Sequence, residues 1–227
     1  MQTLTKTPIA TCSISFPDLD LPRRQAHWLR GYLGRLFEQH SPLLHNHYAD
    51  GSLRYRYPQV QYKIIDGLPL LLGLHEGAEL LHTLFLQIKE LQLGEQHYTL
   101  SAKKMQQDHA LLGLSESLHR YQFVNPWLGL NERNYARYQK ASAKERQELL
   151  QKILVGNILS FYKGMGLRLA AGERILLSAQ LKEKAVKFKN QRMLAFTGIF
   201  TTNALLPTHV GLGKSVSRGF GTLQSNQ

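Results

Sequence analysis

Strand-like and helix-like hydrophobic patterns alternate through the first half of the chain. Residues 10–16 alternate apolar and polar side chains, as a half-buried strand does. Residues 22–39 place apolar side chains at three- and four-residue intervals, which predicts an amphipathic helix. The dipeptide Asp66-Gly67, between two apolar runs, predicts a hairpin turn. The predicted elements of this half are strands at 10–16, 60–65, 68–74 and 98–101 and helices at 22–39 and 76–91.

The second half shows a less regular version of the same order. Residues 103–117 carry no clear period, so the first predicted strand begins after them. Residues 203–209 are too short for a full helix, which leaves the second helix of this half reduced. The predicted elements are strands at 118–124, 173–188, 193–202 and 220–223 and helices at 131–139 and 143–165. This half is therefore predicted to be a degenerate repeat of the first.

The order strand, helix, strand, strand, helix, strand is that of a ferredoxin-like fold. The right-handed crossover rule then places both helices on one face of an antiparallel sheet. We therefore predict an α+β protein with tandem ferredoxin-like (RRM-like) domains, antiparallel sheets and a C-terminal glycine-rich loop. The predicted domains are residues 1–110 and 111–227, with a boundary anywhere between positions 103 and 118.

The charge balance narrows the class of partner. The 227 residues carry a formal net charge of +12, which favours a polyanion, with nucleic acid first and an acidic membrane surface second. Hydrophobic residues make up 43% of the chain, enough to bury a core. The single cysteine, Cys12, forms no internal disulfide, which fits a reducing compartment. No apolar run long enough for a membrane span and no signal peptide is evident, so we expect a soluble cytoplasmic protein.

Residues 211–221, here called the glycine segment, read Gly-Leu-Gly-Lys-Ser-Val-Ser-Arg-Gly-Phe-Gly. Glycine backbones with nearby cations and hydroxyls make a concavity suited to an anion such as phosphate. The P-loop pattern fails here because it needs a glycine where Thr208 stands, and the dinucleotide fingerprint fails because its third glycine falls on Val216. The segment is therefore either a phosphate clamp of another kind or a structural loop.

His45 and His47 lie in the polar stretch 40–51. In an extended segment, side chains at i and i+2 point the same way, so both imidazoles could act on one reacting group. Cleavage of RNA by internal transfer needs a base, an acid and a cation, which two histidines, Tyr48 and a nearby arginine supply. The same histidines are also consistent with ordinary loop residues. A metal site is a further alternative, but a catalytic zinc needs at least three protein ligands and only Asp50 lies close by.

Two basic stretches predict contacts with RNA. Arg54 and Arg56 alternate with Tyr55 and Tyr57, a mixture that binds single strands through phosphate contacts and base stacking. The alternative is a half-buried strand with its tyrosines in the core. The turn between the strands predicted at 173–188 and 193–202 is basic. The cations predicted to bind RNA in this hairpin are Lys187, Lys189 and Arg192.

With these features in place, the chain resembles the CRISPR-associated endoribonucleases of the RAMP superfamily, which cut precursor CRISPR RNA within its repeats. The glycine segment carries the resemblance most specifically, through its basic residues and final G-F-G. The doubled ferredoxin-like pattern extends it to nearly the whole chain. The stretch S-P-L-L-H-N-H-Y, with R-Y-R-Y-P-Q-V-Q-Y-K after it, is similar to a subgroup whose histidines follow the first helix.

The resemblance implies a metal-independent reaction that uses no cofactor. The 2′-hydroxyl attacks the adjacent phosphate and leaves 2′,3′-cyclic phosphate and 5′-hydroxyl ends. His45, His47 and Tyr48 match the catalytic positions. The residues of the glycine segment that would contact the RNA backbone are Gly211, Gly213, Lys214, Ser215, Arg218, Gly219 and Gly221. The implied partners are CRISPR repeat RNA and subunits of a CRISPR effector complex, and the protein is expected to be a monomer or homodimer.

Two other functions remain open at the level of sequence. Related proteins of CRISPR effector complexes share the fold and the glycine loop, so the chain could be a non-catalytic RNA-binding subunit. The second alternative is a metal-dependent hydrolase built on His45 and His47.

Overall fold

The computed structural model describes residues 4–37, 43, 57–188 and 191–226. The strands of this part are β1 (Lys6–Ser15), β2 (Val60–Ile65), β3 (Leu68–Leu74), β4 (Glu90–Leu93), β5 (Gln96–Thr99), β6 (Lys104–Trp127), β7 (Leu177–Phe188), β8 (Gln191–Leu205) and β9 (Leu223–Asn226). Its α-helices are α1 (Ala26–Leu36), α2 (Glu76–Leu84), α3 (Glu132–Lys140) and α4 (Ala143–Gly164). The chain divides into an N-terminal unit, residues 8–110 with 216–219, and a C-terminal unit formed by the remaining described residues.

The N-terminal unit has the strand order of a ferredoxin-like sheet, β2-β3-β1-β6. Strand β3 is antiparallel to both of its neighbours. The predicted hairpin is present, because Asp66 and Gly67 have φ angles of 47° and 85°, as a type I′ turn requires. Leu29 and Leu33 of α1 are buried in one core with Leu81 of α2. The apolar stripes of both helices therefore cover the same sheet.

The fourth strand of this unit differs from the prediction. The helix predicted over 76–91 ends at Leu84, because Leu91 and Leu93 alternate with exposed residues and are buried as strand residues of β4. Gly94, with a φ of 66°, forms the turn between β4 and β5 and does not end a helix. Those two strands make a separate sheet. The place of the fourth strand is taken by β6, whose first residues carry no clear period in the sequence.

The C-terminal unit repeats the same strand order. Strand β6 pairs with both β9 and β8, and β8 pairs with β7. Helices α3 and α4 connect β6 to β7, and α4 begins with a capping box between Ser142 and Glu145. The expected short helix over 203–209 is not formed, since β8 continues to Leu205 and the glycine segment stands between β8 and β9. The predicted tandem ferredoxin-like α+β fold is confirmed.

Candidate functional site

The glycine segment is held at both ends by backbone contacts of the C-terminal unit. Gly211 forms a β-bridge with Thr222. The N–H of Leu212 donates to the carbonyl of Gly221 at 3.0 Å, and the N–H of Gly221 donates to the carbonyl of Pro126 at 2.8 Å. Gly221 has a φ of 64°, and a Cβ there would overlap the carbonyl of Leu212. Only glycine fits at this position.

Gly213 is packed in the same way. Its φ is 88°, and a Cβ would lie 2.6 Å from Nε1 of Trp127 and 2.8 Å from the carbonyl oxygen of Leu128. The N–H of Lys214 donates to that same carbonyl at 2.9 Å. Ser215 follows with a φ of 57°, in the left-handed region. The backbone is thereby fixed while the Lys214 side chain is exposed.

Residues 216–219, here called the arginine turn, belong to the N-terminal unit. They begin as a 3-10 helix, Val216–Arg218, and the N–H of Gly219 donates to the carbonyl of Val216 at 3.2 Å. Gly219 has a φ of 86°, and a Cβ there would lie 3.2 Å from the Tyr62 carbonyl oxygen and 3.5 Å from Cβ of Ala26. The turn therefore lies against β2 and the start of α1, where a larger residue would push it away.

The arginine turn brings two guanidinium groups near each other. Burial lowers the pKa of Arg30, and the positive charge of Arg218 lowers it further. Arg30 also lies near Tyr62, whose pKa is raised by burial and lowered by that cation. Two cations held in proximity favour an anion such as a phosphate between them. Arg30 was not among the predicted site residues. The sequence shows that α1 carries this cation, but it does not show that Arg218, far along the chain, lies near it.

Lys63 of β2 is a second residue that sequence reasoning missed. Its side chain is fully buried, and burial lowers its pKa to about 7. The lysine sits directly beside the arginine turn, since a Cβ on Gly219 would lie 3.6 Å from its Cα. The available signal was a single cation in the otherwise uncharged strand Val60–Ile65.

The predicted catalytic residues lie outside the described part of the chain, but both ends of their segment are described. The predicted site residues outside it are His45, His47, Tyr48, Arg54 and Arg56, together with Lys189 of the hairpin. Before the segment, the N–H of buried Phe37 donates to the carbonyl of Leu33 at 3.1 Å. After it, the Gln61 side chain donates to the Tyr57 hydroxyl at 3.3 Å. In the sequence the histidines are therefore bracketed by α1 and β2, the two elements that contact the arginine turn.

The basic hairpin of β7 and β8 lies against the glycine segment within the C-terminal unit. Lys187 and Arg192 are opposite each other in the register, and both are exposed. The rings of Phe188 and Phe220 pack edge to face, with centroids 5.3 Å apart. The hairpin and the glycine segment thus contact each other directly through these two rings.

Two observations concern only the part of the chain that the structure describes. None of its helices has the length and apolar character needed to cross a bilayer. Its histidine, cysteine, aspartate and glutamate side chains form no group of three or more that could hold a metal ion. His45 and His47, the candidate metal ligands, are not in that part.

Comparison with known proteins finds relatives over nearly the whole chain. Residues 7–110 match the family model of the Cas6b N-terminal domain, and residues 113–226 match that of the Cas6b C-terminal domain. A crystal structure of Cas6b is 35% identical with a TM-score of 0.92, covering 97% of this chain and 100% of that one. A crystal structure of the CRISPR RNA processing endoribonuclease Cas6b is 32% identical with a TM-score of 0.79, at the same coverage.

Two further matches are less informative. An uncharacterized protein of Methanocaldococcus jannaschii is 35% identical over 144 residues, which are 62% of this chain and 95% of that protein. A structure of a CRISPR-associated protein Cas6 is 10% identical with a TM-score of 0.55, covering 98% of this chain and 100% of that one, and shows the shared fold alone.

Proposed function

The chain belongs to the Cas6b family, and on that premise we propose that it is an endoribonuclease that processes CRISPR RNA. The observation that carries the proposal is its 32% identity, over 97% of the chain, to a CRISPR RNA processing endoribonuclease. The excess of positive charge and the pair of guanidiniums at the arginine turn support a polyanionic substrate.

The proposed reaction is an internal transfer within the RNA repeat. A base removes the 2′-hydroxyl proton, the 2′-oxygen bonds to the adjacent phosphorus, and the bond from phosphorus to the 5′-oxygen breaks. The leaving oxygen takes a proton, so the products carry 2′,3′-cyclic phosphate and 5′-hydroxyl ends. His45 and His47 act as base and acid, and Tyr48 assists as a proton donor. The attacking group comes from the substrate, so the step needs neither a water nucleophile nor a metal ion.

The arginine turn has the chemistry to hold the substrate. Arg218 and Arg30 together bind one phosphate of the RNA backbone, since a guanidinium presents planar donors that match phosphate oxygens. Lys214, an exposed cation of the C-terminal unit, is a further residue proposed to contact RNA. The other residues proposed to contact RNA are Arg54, Arg56, Lys187, Lys189, Arg192, Gly211, Gly213, Ser215, Gly219 and Gly221.

The test is cleavage of CRISPR repeat RNA in excess EDTA, with analysis of both new ends. We expect cleavage to persist and the upstream fragment to end in a cyclic phosphate. The matched control substrate carries a 2′-deoxy substitution at the cut position. It lacks the nucleophile, so it should bind with the same affinity and stay intact.

The outcomes separate the alternatives. If EDTA abolishes cleavage and the deoxy substrate is cut in metal, a metal-activated water is the nucleophile and the proposed mechanism is wrong. If the wild-type protein binds repeat RNA tightly but never cuts it, the chain is a binding subunit and not an enzyme.

A further inference from the structure

Helix α1 presents an exposed tryptophan between two arginines. Trp28 is 41% exposed, whereas its neighbour Leu29 is fully buried. Arg24 lies in the short 3-10 helix Arg23–Gln25 that leads into α1, four residues before Trp28, and Arg35 follows Trp28 by seven residues within α1. These intervals are close to whole helical turns, so the three exposed side chains share one side. The opposite face supplies core residues. The outer face of α1 therefore carries a large aromatic ring flanked by positive charge.

Two glycines keep this face uncrowded. Nη1 of Arg35 lies 3.8 Å from the place where a Cβ of Gly31 would be, so the guanidinium folds back along the helix toward Trp28. On the other side, a Cβ on Gly94 would lie 3.6 Å from the indole of Trp28. The turn between β4 and β5 thus meets the ring with backbone alone. The indole therefore packs against the Gly94 turn and keeps part of its surface exposed to solvent.

The two flanking arginines differ from their neighbour Arg23 in their surroundings. Arg23 donates to the carboxylate of Asp66 at 3.0 Å, which neutralises its charge. Within the described residues, neither Arg24 nor Arg35 has a carboxylate within ion-pair distance. Both side chains are available to an anionic partner.

We propose that Arg24, Trp28 and Arg35 form a binding site for single-stranded RNA. A base stacks on the indole of Trp28, and the guanidiniums of Arg24 and Arg35 contact the phosphates on either side of that base. A flat π surface accepts any base, and the flanking cations follow the backbone, so the site is not specific for sequence. The proposal rests on the proposed function for the source of the RNA, and it assigns this face to an unpaired stretch of the transcript that is held but not cut.

Tryptophan fluorescence tests the stacking directly, because the chain has two tryptophans and the other, Trp127, is fully buried. Titration with a uridine octamer at low salt should quench the emission of the wild-type protein. In Trp28→Phe only Trp127 emits, so the quenching should disappear and any remaining change measures the background from Trp127. Absence of quenching in the wild type, or equal quenching in Trp28→Phe, overturns the proposal.

Fluorescence anisotropy of the labelled octamer measures its affinity and distinguishes stacking on an aromatic ring from contact with any large apolar side chain. Trp28→Phe keeps a ring and should bind nearly as well as the wild type, whereas Trp28→Leu should bind about tenfold more weakly.

The double variant Arg24→Ala/Arg35→Ala should reduce the slope of log affinity against log salt by about 1.4, the value for two lost phosphate contacts on a single strand. The control Lys152→Ala/Lys163→Ala, which removes two exposed charges from α4, should leave that slope unchanged. Equal slopes for both double variants contradict the site.

Failure of this site and failure of the proposed function give different results. If the protein cuts repeat RNA in EDTA but shows no Trp28-dependent quenching, the proposed function stands and the Trp28 site is refuted. A protein that shows the quenching but cuts no repeat keeps the single-strand site and loses the proposed function.

Discussion

The two parts of the glycine segment, the arginine turn and the residues on either side of it, have different roles. In the part that belongs to the C-terminal unit, Gly213 and Gly221 occupy positions where a side chain would collide with Trp127 or with the backbone of Leu212. In the arginine turn, the feature with chemical consequence is a side chain, that of Arg218, which lies near Arg30. A motif that looks like one phosphate cradle thus consists of tightly packed glycines of the C-terminal unit and a short charged turn that belongs to the N-terminal unit.

Gly213 and Gly221, here called the frame, serve packing more than anion binding. Glycines in such a loop suggest backbone groups open to an anion, but here the N–H of Gly221 donates to the Pro126 carbonyl, and a Cβ on Gly213 or Gly221 would overlap protein atoms. Substitution of a frame glycine should therefore act first on stability. Substitution in the arginine turn should act first on RNA binding.

The largest effect is expected in the frame. Gly221→Ala should lower the free energy of unfolding by at least about 3 kcal/mol, because it adds a Cβ at positive φ against a carbonyl. The control is Gly156→Ala in α4, where nothing lies within 4 Å of the new Cβ; it should be neutral or stabilising by up to about 1 kcal/mol. Thermal or urea unfolding measures both. Equal stability of the two variants would refute the packing role of the frame.

A pH-dependent effect is expected beside the turn. The pKa of Lys63 falls from 10.5 to about 7 on burial. Between these two values the unfolded chain holds a proton that the folded chain has lost, so stability rises with pH across this window and is lowest below pH 7. Lys63→Met carries no titrating group, so its stability relative to the wild type should be greater at pH 6 than at pH 10, by a few kcal/mol. Unfolding curves at several pH values measure it, and a gain independent of pH would contradict the burial of a titrating lysine.

A smaller effect is expected at the arginine turn, and it concerns RNA binding. Arg218→Ala should weaken repeat RNA binding about tenfold or more, the cost of one lost charge-assisted contact. Arg30→Ala should act similarly. If both bind one phosphate, the double variant should lose less than the sum of the single effects. Arg168→Ala, at an exposed arginine of the C-terminal unit, is the control. Strict additivity would mean that the two arginines hold different phosphates.

The smallest effect is expected in the hairpin. Lys187 and Arg192 share one face of the β7–β8 ladder and are exposed. Their double substitution by alanine should weaken RNA binding only about two- to fivefold, as for weak exposed charge contacts. Lys182→Ala/Lys184→Ala removes the same charge from the other face of the strand. If this control weakens binding as much, the hairpin acts through general charge and not through the predicted residues.

Local patterns predicted much of the fold. The hairpin of β2 and β3 and the long helix α4 follow from turn chemistry and periodicity, and the structure has both. The family resemblance is also confirmed. The errors occur where tertiary pairing decides. The position of Leu91 fits the apolar stripe of a helix as well as the buried face of a strand. The first part of β6 shows no strand-like alternation in its sequence and forms a strand through pairing within the sheet. That the two halves fold as separate domains stays a prediction.

The candidate site likewise contains residues that a local pattern predicts and residues that only tertiary contacts bring together. Arg218 and the frame glycines were predicted from the motif itself. The proximity of Arg30 and Lys63 to the turn depends on a contact between residues more than 150 positions apart, and no local pattern records such a contact. The catalytic roles of His45, His47 and Tyr48 stay predictions.

The most direct test of the account is single-turnover cleavage of repeat RNA, at saturating protein, by the double variant His45→Ala/His47→Ala. We expect the cleavage rate to fall by at least about a hundredfold, because that is the usual contribution of general acid–base catalysis. The dissociation constant should stay at the wild-type value. Cleavage at the wild-type rate would contradict the account, because the chemistry would then belong to other residues.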